Sequence, residues 1–247
     1  GIKGSDAAKS AAELVLTDDN FASIAAAVRE GRTVFDNLRK VISWTLPTNA
    51  GEAGTIIAAL LLGLSLPISP VQILWVNLIT AVTLGLALAF EPTEPGTMKR
   101  APRPRSAPLL GGQLVWQVLF VGGLFTAAVF GLYLYSINRG YSQELAQGMS
   151  MNMLVILEIF YLFFIRNLYG SSLNWQAIKG TKAVWMCLTI IVPAQFFITY
   201  FPPAQTIMGT ASISLADGAL MIGIGVVFFA VIEVEKQMRL ALTNRHR

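Results

Sequence analysis

The sequence predicts an all-α membrane protein: a six-transmembrane-helix bundle, with a short α/β segment ahead of it on the cytoplasmic side. Three observations predict this. Hydrophobic residues make up 54% of the 247 and charged residues 13%, against roughly 45–50% and 25% in soluble domains. Six apolar stretches, at about 41–63, 70–90, 114–136, 149–165, 183–201 and 216–232, approach the roughly 20 helical residues that cross a 30 Å hydrocarbon core. Of the 18 Lys and Arg residues, all but Arg139 lie in segments that alternate spanning would place on one side, which the positive-inside rule makes the cytoplasm, with both termini there. The single cysteine, Cys187, excludes a disulfide scaffold. The single histidine, His246, excludes a Ser-His-Asp triad or a His-rich metal site. The net charge of +4 and pI near 9.3 are then a topology signal. The basic residues are shared among loops and make no folded basic face, so no nucleic-acid partner is expected.

Residues 1–40 carry six basic and six acidic side chains and do not read as a signal peptide. A helix is expected over about Asp6–Ala12, a short strand at Glu13–Thr17, and a second helix from near Phe21. Asn20 or Asp19 is the candidate N-cap. No Gly-Pro break separates this helix from Val41, so it can run into the first span as one long helix. Forty residues are too few for a core of their own. The first and second spans are joined only by Leu64–Ser69, a tight hairpin. The 91–113 loop holds Pro92, Pro95, Pro102, Pro104 and Pro108 and is expected to be extended and non-helical. Asp217 and Glu144 fall at span ends and are expected to be solvated. Met149, Met151 and Met153, the tryptophans and Gly223-Ile224-Gly225 read as packing or interface residues.

The informative residues are polar groups at mid-span. Glu52 lies in the first stretch and Glu158 in the fourth; a carboxylate there is expensive, and such groups usually face the bundle interior and bind ions, protons or a partner. The alternative for each is a protonated Glu hydrogen-bonded between helices. Asn49 precedes Glu52 by three residues, on one helical face. Pro47 removes a backbone donor just before them, and Gly51 and Gly54 permit close helix approach. In the second stretch Asn77, Thr80 and Thr83 recur at three-residue spacing. Two oxygen-bearing stripes on the arms of a tight hairpin can converge on a hard cation, or can simply hydrogen-bond between helices.

At these residues the chain resembles the C-terminal part of a P-type ATPase, of the P2 group that includes the calcium and sodium–potassium pumps. Gly4-Ser5-Asp6-Ala7-Ala8-Lys9 and Glu13-Leu14-Val15-Leu16-Thr17-Asp18-Asp19-Asn20-Phe21 resemble the end of the phosphorylation domain. Arg29-Glu30-Gly31-Arg32 and Asn37-Leu38-Arg39-Lys40 resemble the stalk into the fifth membrane helix. Asn49-Ala50-Gly51-Glu52 is similar to the calcium pump's Asn-Val-Gly-Glu, and Gln72-Ile73-Leu74-Trp75-Val76-Asn77-Leu78-Ile79-Thr80 to its sixth helix. Glu91-Pro92 and Met98-Lys99-Arg100-Ala101-Pro102-Arg103 match the loop that follows. The last four spans match by hydropathy and order. The resemblance implies that the spans are helices five to ten of ten, with Asn49, Glu52, Asn77, Thr80 and Glu158 as cation ligands.

The same resemblance divides the chain. Residues 1–40 would be the end of the phosphorylation domain and the stalk, 41–90 an ion-site hairpin and 91–113 a cytoplasmic loop. Residues 114–235 would be a four-helix membrane domain and 236–247 a basic tail. Two departures matter. Calcium pumps follow the Thr with an Asp that serves both ion sites, and here that position is Ala81, which works against tight calcium binding and leaves the transported cation open. The Asp-Lys-Thr-Gly-Thr, Thr-Gly-Glu-Ser and Thr-Gly-Asp-Gly-Val-Asn-Asp motifs are absent, so this chain is expected to be a fragment, a split subunit or a truncated gene product, unable to hydrolyse ATP alone. It would bind no cofactor itself, while the complete pump would use ATP and Mg2+. The expected partners are the lipid bilayer, the cation and an upstream pump segment, and the expected location is the plasma membrane. A self-standing six-helix channel or carrier, and a non-catalytic pump-derived membrane protein, are the alternatives.

Overall fold

The computed structural model describes residues 1–94, 96–102, 111–167, 172 and 181–245, with side chains to residue 242. The expected loop residues 103–110, most of the 166–182 loop and His246 lie outside the described residues.

Helix α1 (Asp6–Ala11) starts where the Ser5 hydroxyl accepts a bond from the Ala8 amide at 3.3 Å. The strand expected at Glu13–Thr17 does not form; no strand occurs among the described residues, so this segment has no neighbour to pair with and stays irregular. Of the two candidate caps, Asn20 is the one used: its side chain accepts from the Ala22 amide at 3.0 Å. From there α2 runs unbroken from Phe21 to Leu61, 41 residues, about 60 Å at 1.5 Å per residue. It continues through Gly31 and Pro47.

Helix α2 ends at Gly63, which takes the left-handed conformation at φ 64°. The Leu64 amide reaches back to the Ala59 carbonyl at 2.9 Å, closing the last turn. Helix α3 (Pro70–Thr80) opens with a capping box, in which Ser69 and Gln72 bond each other's backbone amides. The expected span 70–90 is not one uniform helix. It passes through a π-helical turn (Ala81–Gly85) into the short α4 (Leu86–Ala89). The long helices α5 (Gly112–Asn138), α6 (Gln143–Ile165), α7 (Lys182–Tyr200) and α9 (Leu215–Arg245) follow, with α8 (Pro202–Met208) between the last two.

Five described helices are long and apolar enough to cross a membrane: Pro70–Ala89, Gly112–Asn138, Gln143–Ile165, Lys182–Tyr200 and Leu215–Leu242. The expected first span, 41–63, is not among them, because Pro47, Asn49 and Glu52 dilute its apolar content. It is instead the distal half of α2.

Helix α6 is the centre of the bundle. Met149, Met151, Met153, Leu154, Leu157, Tyr161 and Leu162 are buried on all its faces, as a helix surrounded by others requires. Helix α2 lies along α5 at close range. A Cβ on Gly51 would collide with Phe125, and one on Gly54 with Thr126, so glycine at both places sets the separation. Asp217 is buried rather than solvated, accepting bonds from the Ser214 hydroxyl at 2.6 Å and from Tyr141. Glu144 is exposed as expected.

At the end of the bundle nearest α1, the segment after α4 is strapped to α2. Asn37 donates to the Ala89 and Glu91 carbonyls, and Arg32 to those of Thr97 and Arg100. Lys40 pairs with Glu94 at 2.6 Å, Arg100 with Asp36, and Arg166 at the end of α6 with Glu91 at 2.6 Å. The loop is thus held by specific contacts. It includes a short 3-10 turn, Thr97–Lys99, where an extended, non-helical run was expected.

Candidate cation site

The π-helical turn and Pro47 bring two irregularities to the same depth of the bundle. Proline has no amide hydrogen, so Pro47 cannot close the helical bond to the Ser43 carbonyl, and its ring crowds that oxygen. A π-turn widens α3 after Thr80 and is often found at functional sites. Between them lies a cavity of about 610 Å³. Among its lining residues are Trp44, Asn49, Asn77, Thr80, Ala81 and Glu158.

Four of the five residues expected to hold a cation line this cavity together: Asn49, Asn77, Thr80 and Glu158. The fifth, Glu52, does not line it. Its Oε2 accepts from the Asn77 Nδ2 at 3.0 Å, one side chain removed from the wall. Thr83, on the same sequence stripe, is turned away, and its hydroxyl donates to the Ile79 carbonyl at 2.6 Å. The Thr80 hydroxyl donates to the Val76 carbonyl at 2.8 Å, which leaves its oxygen free to accept.

Two carboxylate oxygens stand apart from the other buried ones without a hydrogen bond, because Glu94 and Glu233 each have a lysine beside them. Glu52 is 7% exposed and Glu158 2%. The Glu52 Oε1 and the Glu158 Oε2 are buried, with no hydrogen-bond partner among the described residues. An unmatched buried carboxylate oxygen is costly and calls for a proton or a cation. Two carboxylates with amide and hydroxyl oxygens are a hard-donor set, suited to a hard cation. Among the described residues no three His, Cys, Asp or Glu side chains gather in a metal-binding group.

Sequence reasoning missed how the helices bearing these acids are joined. The Tyr161 hydroxyl donates to the Ser43 carbonyl at 2.8 Å, and the Trp44 indole donates to the Glu158 carbonyl at 3.3 Å. Pro47 was the available signal, because a proline inside a buried helix implies an orphaned carbonyl four residues earlier.

Comparison with known proteins gives these features a family. Residues 65–238 match the family described as "Cation transporting ATPase, C-terminus". The chain is 45% identical, over 94% of its length, to "Probable cation-transporting ATPase F" of Mycobacterium tuberculosis. It is 36% identical over 89% to a cation-transporting ATPase of Synechocystis, and 34% identical over 92% to a calcium-transporting ATPase of Bacillus subtilis. It spans 25% of the length of each of these three relatives. With its five long apolar helices, this chain is an integral, multi-pass membrane segment that belongs to the C-terminal region of the cation-transporting P-type ATPase family.

Proposed function

We propose that this chain is the cation-translocating membrane portion of an ATP-driven P-type pump, with Asn49, Glu52, Asn77, Thr80 and Glu158 forming its cation site. One observation carries the reading: Glu158 lines, with Asn49, Asn77 and Thr80, one cavity inside an apolar bundle, Glu52 stands behind Asn77 at 3.0 Å, and each of the two buried carboxylates keeps an unmatched oxygen. In this reading the 41–61 part of α2 is a sixth span, and both termini face the cytoplasm. Residues 1–40 close the phosphorylation domain, and residues 91–113, 114–235 and 236–247 are the cytoplasmic loop, the four-helix membrane domain and the basic tail. An upstream segment of the pump supplies the phosphorylated aspartate and the nucleotide site, and ATP and Mg2+ act there. The plasma membrane is the proposed location.

The long α2 suits the coupling such a pump needs. One rigid helix joins the cytoplasmic segment to Asn49 and Glu52, so a tilt driven by phosphorylation moves those two against Asn77 and Thr80 on α3. A cation bound more tightly in one tilt than in the other is what links ATP to transport. Ala81 supplies no side-chain oxygen, so the set favours one cation over two.

The test is ATP hydrolysis by the full-length pump in membranes, titrated in turn with Ca2+, Mg2+, Na+, K+ and pH. One of these stimulates the wild type, and Glu52→Gln abolishes or right-shifts that stimulation. Stimulation unchanged by Glu52→Gln overturns the ligand assignment.

A further inference from the structure

We propose that Tyr161 is a positioning residue for the cation site: its hydroxyl replaces the backbone donor that Pro47 removes from α2, and so holds the turn of α6 that carries Glu158 against the turn of α2 that leads to Glu52. The proposal builds on the cation-site reading and adds a residue that touches no cation.

The geometry is a chain of three groups. Gln117 on α5 donates from Nε2 to the Tyr161 oxygen at 2.8 Å. With its lone pair engaged, the Tyr161 hydroxyl directs its own proton to the Ser43 carbonyl at 2.8 Å. Ser43 lies four residues before Pro47, so its carbonyl is the one that an amide at position 47 would otherwise take. Ser43 and Tyr161 are both buried, at 3% and 1% or less exposure, so water does not readily stand in for the missing donor.

Tyr161 follows Glu158 by three residues, on the same face of α6. The adjacent contact acts at the same level, since the Trp44 indole on α2 donates to the Glu158 carbonyl. Two side-chain bonds therefore tie the pre-proline turn of α2 to the Glu158 turn of α6. The Tyr161 ring is also fixed, stacked on Phe164 with centroids 5.7 Å apart and edge-on to Phe125 at 6.2 Å. The hydroxyl is thus aimed by packing, and loss of the hydroxyl alone leaves that packing in place.

The idea makes the effect of Tyr161 conditional on Pro47. In Pro47→Ala the new amide closes the ordinary helical bond to Ser43, and the tyrosine hydroxyl becomes redundant. The experiment uses the full-length pump in membranes and the rate at which a hydrophobic carbodiimide modifies Glu158, read by mass spectrometry of the α6 peptide. This readout follows the placement of Glu158 and does not require the transported ion to be known. Tyr161→Phe is expected to change the rate by about fivefold, the equivalent of one net hydrogen bond. Pro47→Ala/Tyr161→Phe is expected to label within twofold of Pro47→Ala.

Two results overturn the proposal: a Tyr161→Phe rate equal to wild type, or a Tyr161→Phe effect of equal size with and without Pro47. If Tyr161→Phe does not fold, folding of the double variant supports the proposal, and its failure to fold overturns it. The cation-site reading fails separately, through an undiminished cation response in Glu52→Gln.

Discussion

Two sets of buried or half-buried acids in this bundle are treated in opposite ways. At the end nearest α1, Glu91, Glu94 and Asp36 each face a cation: Arg166, Lys40 and Arg100. Midway along the helices Glu52 and Glu158 face none, and each keeps an oxygen with no partner among the described residues. Burial is similar, at 7% exposure for both Glu91 and Glu52, so burial alone does not separate the sets. Pairing does. A buried acid that already has its cation holds the chain together, while under the proposed reading Glu52 and Glu158 are left without one so that a cation or a proton can bind.

Breaking the first set should therefore cost stability, and neutralising the second should not. The largest effect is expected from Arg166→Ala, which leaves the buried Glu91 carboxylate without its cation, with the Thr181 hydroxyl still donating to it at 3.3 Å; loss of one partner from a buried pair costs about 3–5 kcal/mol. Thermal unfolding of the full-length protein in detergent measures it, and a midpoint close to wild type would mean that Glu91 is solvated. Next comes Gly51→Ala. Its methyl group falls on Phe125, and overpacking of this kind costs about 1–3 kcal/mol. Because the same turn carries Glu52, the change should also weaken the cation response, which tells a loss of site geometry from a loss of charge.

A smaller loss is expected from Ser69→Ala, which removes the capping box at the start of the arm that bears Asn77 and Thr80. Cap removal costs about 1 kcal/mol, and Gln72 remains anchored to the Met208 carbonyl at 2.9 Å. This variant should melt slightly earlier with the cation response intact. The smallest effect lies at the start of α2. There the Ser23 hydroxyl and then the Asn20 amide bond the Asp18 carboxylate and hold its pKa below the usual 3.8. Its contribution is full above pH 3.8 and fades as pH falls through the lowered value, so Asp18→Asn should lower the midpoint slightly at pH 7, and the difference from wild type should shrink as pH falls below 4.

The parts of this arrangement legible in the sequence are the local ones. The charge-free run from Val115 to Ser136 and the Lys182–Tyr200 helix announce themselves by apolar length alone. The unbroken α2 follows from the absence of a break between Phe21 and Val41, and the three-residue spacings placed Asn49, Asn77 and Thr80 on cavity-facing sides. The π-turn at Ala81–Gly85 was not legible, because nothing in Ala-Val-Thr-Leu-Gly separates it from ordinary helix. Nor was the burial of Asp217, whose partner Tyr141 comes from another loop. The pairings Lys40–Glu94, Arg166–Glu91 and Ser43–Tyr161 join residues more than fifty positions apart. A charge or a hydroxyl in the sequence states that a partner is needed, and only the packing of the helices states which one.

The central claim is that Glu52 and Glu158 are kept unpaired for a cation. It is tested most directly by the cation-induced rise in melting temperature of the full-length protein, measured with the stimulating ion in wild type, Glu52→Gln and Glu158→Gln. Binding to the folded state alone raises stability by about 2.7 kcal/mol at a hundredfold excess over Kd. The account predicts that both variants melt at or above wild type without the ion and no longer respond to it. A full cation-induced rise in either variant, or destabilisation as large as that of Arg166→Ala, would contradict it.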